Sequence, residues 1–81
     1  MPTERDIEIA IENIRNRTGE ETFTTKDVIK EMYGTYKVNN GNSAIGRKIK
    51  SLGYTYIKSI SIKDDDGKDT TTAVFEFKNI D

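Results

Sequence analysis

Arg47, Lys48 and Lys50 fall within four consecutive positions of the run NSAIGRKIKSLGY, with Asn42 and Ser43 just ahead and Asn40 before them. A guanidinium can pair in bidentate fashion with a guanine edge, an ammonium or a hydroxyl can hold a phosphate, and a carboxamide matches an adenine edge. Within the same run Ile45, Ile49 and Leu52 recur at helical spacing. A helix that turns this apolar stripe inward presents Ser43, Arg47, Lys50 and Ser51 outward and leaves Lys48 on the flank. Lys58 and Lys63 follow in a segment of strand-like alternation. This chemistry suits the grip of a polyanion, not the making of bonds.

Bond-making chemistry has little to work with. The 81 residues contain no cysteine and no histidine, which removes thiolate and imidazole metal sites, cysteine nucleophiles and every histidine-based acid–base scheme. Tyr33, Tyr36, Tyr54 and Tyr56 can stack on unpaired bases, yet no histidine or compact acidic triad accompanies them to support a tyrosine nucleophile. The acidic run Asp64-Asp65-Asp66-Gly67-Lys68-Asp69 does not fit a calcium loop. Counted from Asp64, lysine stands fifth, glycine fourth and Phe75 twelfth. No catalytic residue, cofactor or metal is expected. No apolar run is long enough to span a bilayer, so the expected location is cytoplasmic or nucleoid-associated.

Net charge is only −1, but its distribution is uneven. From Met32 to Lys63 there is no acid, while Lys37, Arg47, Lys48, Lys50, Lys58 and Lys63 supply six positive charges. The remaining residues hold all 14 acids against seven bases. An acidic body with one basic surface is the expectation.

The elements that must position this surface read in order. A first helix runs from about Thr3 to Arg17, with Thr3 as N-cap, Asp6 completing a capping box, and Ile7, Ala10, Ile11 and Ile14 on one stripe. Ile9 lies off that stripe. A short extended stub around Phe23 leads to a second helix capped by Thr24 with Asp27, carrying Val28, Ile29 and Met32, and closed by Gly34. The polar stretch TYKVNNGN makes a turn, and a third helix spans Asn42 or Ser43 to Leu52, ended by Gly53. A hairpin centred on Asp66-Gly67 pairs Tyr56 with Phe77, Lys58 with Phe75, Ile60 with Ala73 and Ile62 with Thr71; a three-residue loop would shift this register by one.

Two helices joined by a short polar turn and followed by a hairpin resemble the winged helix-turn-helix domain. FTTKDVIKEMYG, NSAIGRKIKSLGY and the DDDGKD hairpin stand in the order of that superfamily. IGRKIKSLGY is also similar to segments of small archaeal and viral regulators and of viral primase-associated winged helices. The resemblance implies an α+β fold in one domain over residues 1–81, with order α-β-α-α-β-β. It implies a non-enzymatic double-stranded DNA-binding protein, a small transcription regulator or replication accessory, with the third helix in the major groove. Arg47 is then the expected base reader, with Asn40, Asn42, Ser43, Lys48, Lys50, Lys58 and Lys63 as further DNA contacts. A homodimer is expected of a regulator with so few cations, through Ile9 or through Ile57 and Val74. The acidic hairpin tip departs from the basic wing usual in this superfamily. Its carboxylates are expected to repel phosphate, or else to dock a basic protein surface, and the alternative function is a protein–protein module.

Overall fold

Thr3 and Asp6 start the first helix by reciprocal bonds. The Thr3 hydroxyl accepts from the Asp6 N–H at 3.1 Å, and the Asp6 carboxylate accepts from the Thr3 N–H at 2.9 Å. In the computed structural model, which describes residues 2–78, this helix, α1, spans Glu4–Thr18 and ends at Gly19, whose φ of 65° is the left-handed conformation of a C-cap. Thr24 and Asp27 repeat the same reciprocal pair ahead of α2, Thr25–Tyr33. The third helix, α3, is Gly41–Ser51. It begins slightly earlier than the sequence suggests, because Asn39, not Asn42, supplies the first turn's acceptor: its Oδ1 takes the Gly41 N–H at 2.7 Å.

Three strands complete the fold: β1 Thr22–Thr24, β2 Thr55–Lys63 and β3 Asp69–Glu76. They form one antiparallel sheet in the order β1-β3-β2, so the last strand lies at the centre. The chain is thus α+β, with three helices and a three-stranded antiparallel sheet.

One cluster of buried side chains joins all three helices to the sheet. Ile7, Ile11 and Ile14 of α1, Val28 and Ile29 of α2, Ile45 and Ile49 of α3, and Phe23 and Phe75 of the sheet belong to it. Phe23 stacks on Phe75 with ring centroids 5.7 Å apart and meets Tyr54 edge-on at 5.4 Å. Tyr36, in the turn between α2 and α3, is also buried, although the polar composition around it gave no sign of a core position.

The hairpin register differs from the pairing centred on Asp66-Gly67 by one at Lys58, Ile60 and Ile62 and by two at Tyr56. Tyr56 faces Phe75, Lys58 faces Val74, Ile60 faces Thr72 and Ile62 faces Thr70. The turn is the cause. The Asp64 N–H donates to the Lys68 carbonyl and the Gly67 N–H to the Asp64 carbonyl, which leaves three residues, Asp65 to Gly67, in the loop. Gly67 takes a φ of 81°, as such a loop requires at its last position. An irregularity between Tyr56 and Lys58 then inserts Ile57 as an extra residue, so Tyr56 and Ser59 share a face. Val74 is buried, which takes it out of any exposed dimer surface, whereas Ile9 and Ile57 are exposed.

Candidate nucleic-acid interface

The stripe of Ile45 and Ile49 holds α3 against the core, and its opposite side forms one wall of a cleft of about 660 Å³. Asn42, Ser43, Gly46, Arg47 and Lys50 make that wall. Tyr36, Val38, Asn39 and Asn40 close one end from the α2–α3 connection. Tyr56, Ser59, Thr71, Ala73 and Phe75 face them from the hairpin, the set that the shifted register and the Ile57 irregularity bring to one side.

None of the lining residues is acidic, and two are cationic. Arg47 and Lys50 are exposed and make no ion pair among the described residues. The Lys50 ammonium stands 4.5 Å from the centroid of the Tyr56 ring, whose hydroxyl is 2.9 Å from Ser59 Oγ. This contact holds the charge at the rim of the cleft without neutralising it. At the floor, Thr25 is buried and its hydroxyl has no hydrogen-bond partner. A Cβ built on Gly46 would lie 3.5 Å from that hydroxyl, in ordinary contact. A mid-helix glycine costs about 1 kcal/mol against alanine. Nothing in the packing demands one here; its effect is to leave the backbone of α3 bare between Arg47, Ser43 and Lys50.

The residues expected to touch DNA divide into two groups. Arg47, Lys50, Ser43, Asn40 and Asn42 gather at the cleft. Asn42 also braces the turn, its side-chain N–H donating to the Lys37 carbonyl at 2.9 Å, and the Ser43 hydroxyl donates to the Asn40 carbonyl at 3.3 Å. Lys48, Lys58 and Lys63 lie elsewhere. The Lys48 ammonium is half-buried against the start of α1 and donates to the Pro2 carbonyl at 3.1 Å. Lys58 pairs with Val74 on the opposite face of the strand from Ser59. Lys63 is bound to Asp69 at 2.6 Å.

The acidic turn requires a larger correction. Asp64 is buried, at 7% exposure, and is no bare hairpin tip. One of its carboxylate oxygens accepts from the Val38 N–H at 3.0 Å, and the other accepts from the Asp66 and Lys68 N–H groups at 2.9 Å each. These backbone donors, Val38 foremost, hold the Asp64 carboxyl below the usual carboxylate range against the opposing pull of desolvation. Asp65 accepts from the Tyr36 N–H at 2.9 Å and from the Lys30 ammonium at 3.3 Å, and the Tyr36 contact leads in lowering its pKa. Asp66 stands 3.6 Å from the Lys37 ammonium. The three carboxylates that look repulsive in the sequence are therefore engaged within the molecule.

Sequence reasoning passed over Thr25, Gly46, Ser59 and Thr71 as cleft residues. Only Gly46 carried a local signal, a glycine inside a helical pattern. Among the described residues no helix is long and apolar enough to cross a membrane, and no group of acidic residues could hold a metal ion. In comparisons with known proteins, no family model, no curated protein and no solved structure matches this chain.

Proposed function

We propose that this chain is a winged helix-turn-helix protein that binds double-stranded DNA without catalysing a reaction, serving as a small transcription regulator or replication accessory. In this reading α2 and α3 are the helix-turn-helix, β2 and β3 the wing, and α3 enters the major groove. The observation that carries it is the acid-free cleft with Arg47 and Lys50 on the outward side of α3, free of ion pairs among the described residues. Arg47 reads a base edge, Lys50 holds a phosphate, and Ser43, Asn40 and Asn42 contribute hydrogen bonds beside them. The acidic turn gives no separate support to docking on a basic protein, because its carboxylates already have partners.

Selection of a preferred duplex from a random pool, followed by titration of variants on that duplex and on a scrambled one, tests the assignment. Arg47→Ala should cost about 1–3 kcal/mol on the preferred duplex and relax one or two positions. Lys50→Ala should weaken both duplexes alike. Equal losses for Arg47→Ala on the two duplexes count against base reading, and absence of duplex binding by the parent protein at low salt rejects the function.

A further inference from the structure

The hairpin turn reaches back to the connection that leads into α3. The Asp65 N–H donates to the Tyr36 carbonyl at 2.9 Å, and the Tyr36 N–H returns a bond to the Asp65 carboxylate at the same distance. Two residues on, the Val38 N–H is taken by Asp64. The turn thus lies alongside Tyr36 to Val38 and binds two successive alternate N–H groups of a segment that has no helix or strand of its own. Tyr36 and Val38 line the same cleft as α3 and the hairpin, so this junction joins two of its walls.

We infer that Asp64 and Asp65 act as a clasp that fixes the opening of the cleft, and that both are positioning residues for the nucleic-acid contact. The inference deepens the DNA-binding reading and rests on it. The clasp spans 26 and 29 residues of sequence; beside it stand the Asp65 N–H bond to the Tyr36 carbonyl and two exposed lysine contacts, Lys30 of α2 to Asp65 and Lys37 of the connection to Asp66. Exposed pairs of that kind contribute little to rigidity. Bonds that a carboxylate accepts from backbone N–H groups, here at the buried Asp64 and the exposed Asp65, are charge-assisted and directional. With the clasp closed, Arg47 and Lys50 stand at a defined distance from Tyr56, Ser59 and Thr71; with it open, the hairpin wall can swing away.

The two aspartates permit a clean comparison, because their asparagine variants remove one negative charge each but differ in what remains. Asp64→Asn keeps one carbonyl oxygen for the Asp66 and Lys68 N–H groups and turns an NH2 toward the Val38 N–H, so the clasp bond is lost. Asp65→Asn keeps an oxygen for the Tyr36 N–H and loses only the contact with Lys30. Asp65→Ala removes both, and serves as a second cut should Asp64→Asn fail to fold.

The test uses the full chain in two measurements. The chain has no native cysteine, so Ser43→Cys and Thr71→Cys carry a pair of spin labels across the cleft in the free protein. The distance distribution should broaden to longer values with Asp64→Asn and Asp65→Ala and stay as in the parent with Asp65→Asn. On unlabelled protein, duplex affinity should fall about tenfold for Asp64→Asn and Asp65→Ala and stay within about twofold for Asp65→Asn. Equal gains in affinity for both asparagine variants, as simple repulsion by the turn would give, overturn the inference. So does an unchanged distance distribution in Asp64→Asn and Asp65→Ala, or a widened cleft with unchanged affinity. Failure of the parent itself to bind duplex rejects the DNA reading, and the label distances then decide the clasp alone.

Discussion

The division of the basic residues can be measured as a slope. Each phosphate neutralised by a protein cation adds about −0.9 to the slope of log K against log[salt] on B-form DNA. Among the described residues Arg47 and Lys50 have no ion-pair partner at the cleft, whereas the Lys48 ammonium is committed to the Pro2 carbonyl. Lys50→Ala, which removes the phosphate holder, should therefore flatten the slope by about 0.9, while Arg47→Ala, which removes the base reader, should change it less. Between about 50 and about 500 mM salt the parent then loses about eightfold more affinity than Lys50→Ala. Lys48→Ala should leave the slope at the parental value and instead cost about 1 kcal/mol of stability, through a lost hydrogen bond to a charged group at a half-buried site. Fluorescence anisotropy of a labelled mixed-sequence duplex, titrated at several salt concentrations, gives the slope. Urea unfolding of the same proteins gives the stability. The reasoning is refuted if Lys48→Ala flattens the slope as much as Lys50→Ala does, or if Lys50→Ala keeps the parental slope.

Other perturbations separate packing from binding. Gly46→Ala should stabilise the protein by about 0.5–1 kcal/mol in chemical denaturation, since the new Cβ meets Thr25 at ordinary contact distance, while duplex affinity falls as the bare stretch of α3 is filled. Ile49→Val, at a fully buried position on the inward side of the same helix, should cost about 0.5–1.5 kcal/mol of stability and leave the salt slope untouched. Asp64, Asp65 and Asp6 have carboxyls lowered in the folded state by backbone N–H bonds from Val38, Tyr36 and Thr3 respectively. A depressed folded pKa means stability that is present above the unfolded value, near pH 4, and lost as pH falls through the folded values. The thermal midpoint should accordingly decline below about pH 4, and Asp64→Asn should show a shallower acid limb than the parent.

What the sequence made legible was what depends on near neighbours. Both capping boxes, Thr3 with Asp6 and Thr24 with Asp27, close over three residues and could be read directly. Gly19 and Gly34 end their helices for an equally local reason, a positive φ. The inward stripe of α3 and the outward placement of Arg47 and Lys50 follow from helical period alone. The hydrogen bond of Lys48 was not legible because its partner, Pro2, lies 46 residues away and offers only a carbonyl, which every residue has. Asp64 and Asp65 were misread for the same reason: their partners are the amides of Val38 and Tyr36, and an amide leaves no mark in residue type. The register followed from that misreading, since the Asp64 carboxylate, by accepting from Asp66 and Lys68, favours the three-residue loop over the two-residue turn that Asp-Gly alone suggests.

The central place of β3 bears on the order in which the chain can assemble. During synthesis the amino-terminal part emerges first. Ile7, Ile11, Ile14, Val28, Ile29, Ile45 and Ile49 have all emerged by the end of α3, so the three helices can begin to associate on contacts already available. The sheet cannot. Among the described residues β1 has no pairing partner other than β3, with Thr22 meeting Glu76 and Phe23 meeting Phe75, and β2 likewise pairs only with β3. Until residues 69–76 arrive, Phe23 lacks its stacking partner, and two strands wait with open edges on opposite sides of a gap. A chain cut anywhere before β3 therefore loses the middle of its sheet rather than its margin. Ribosome-bound intermediates shorter than this expose the aromatic half of the core, the half against which α3 and the hairpin later set their cleft.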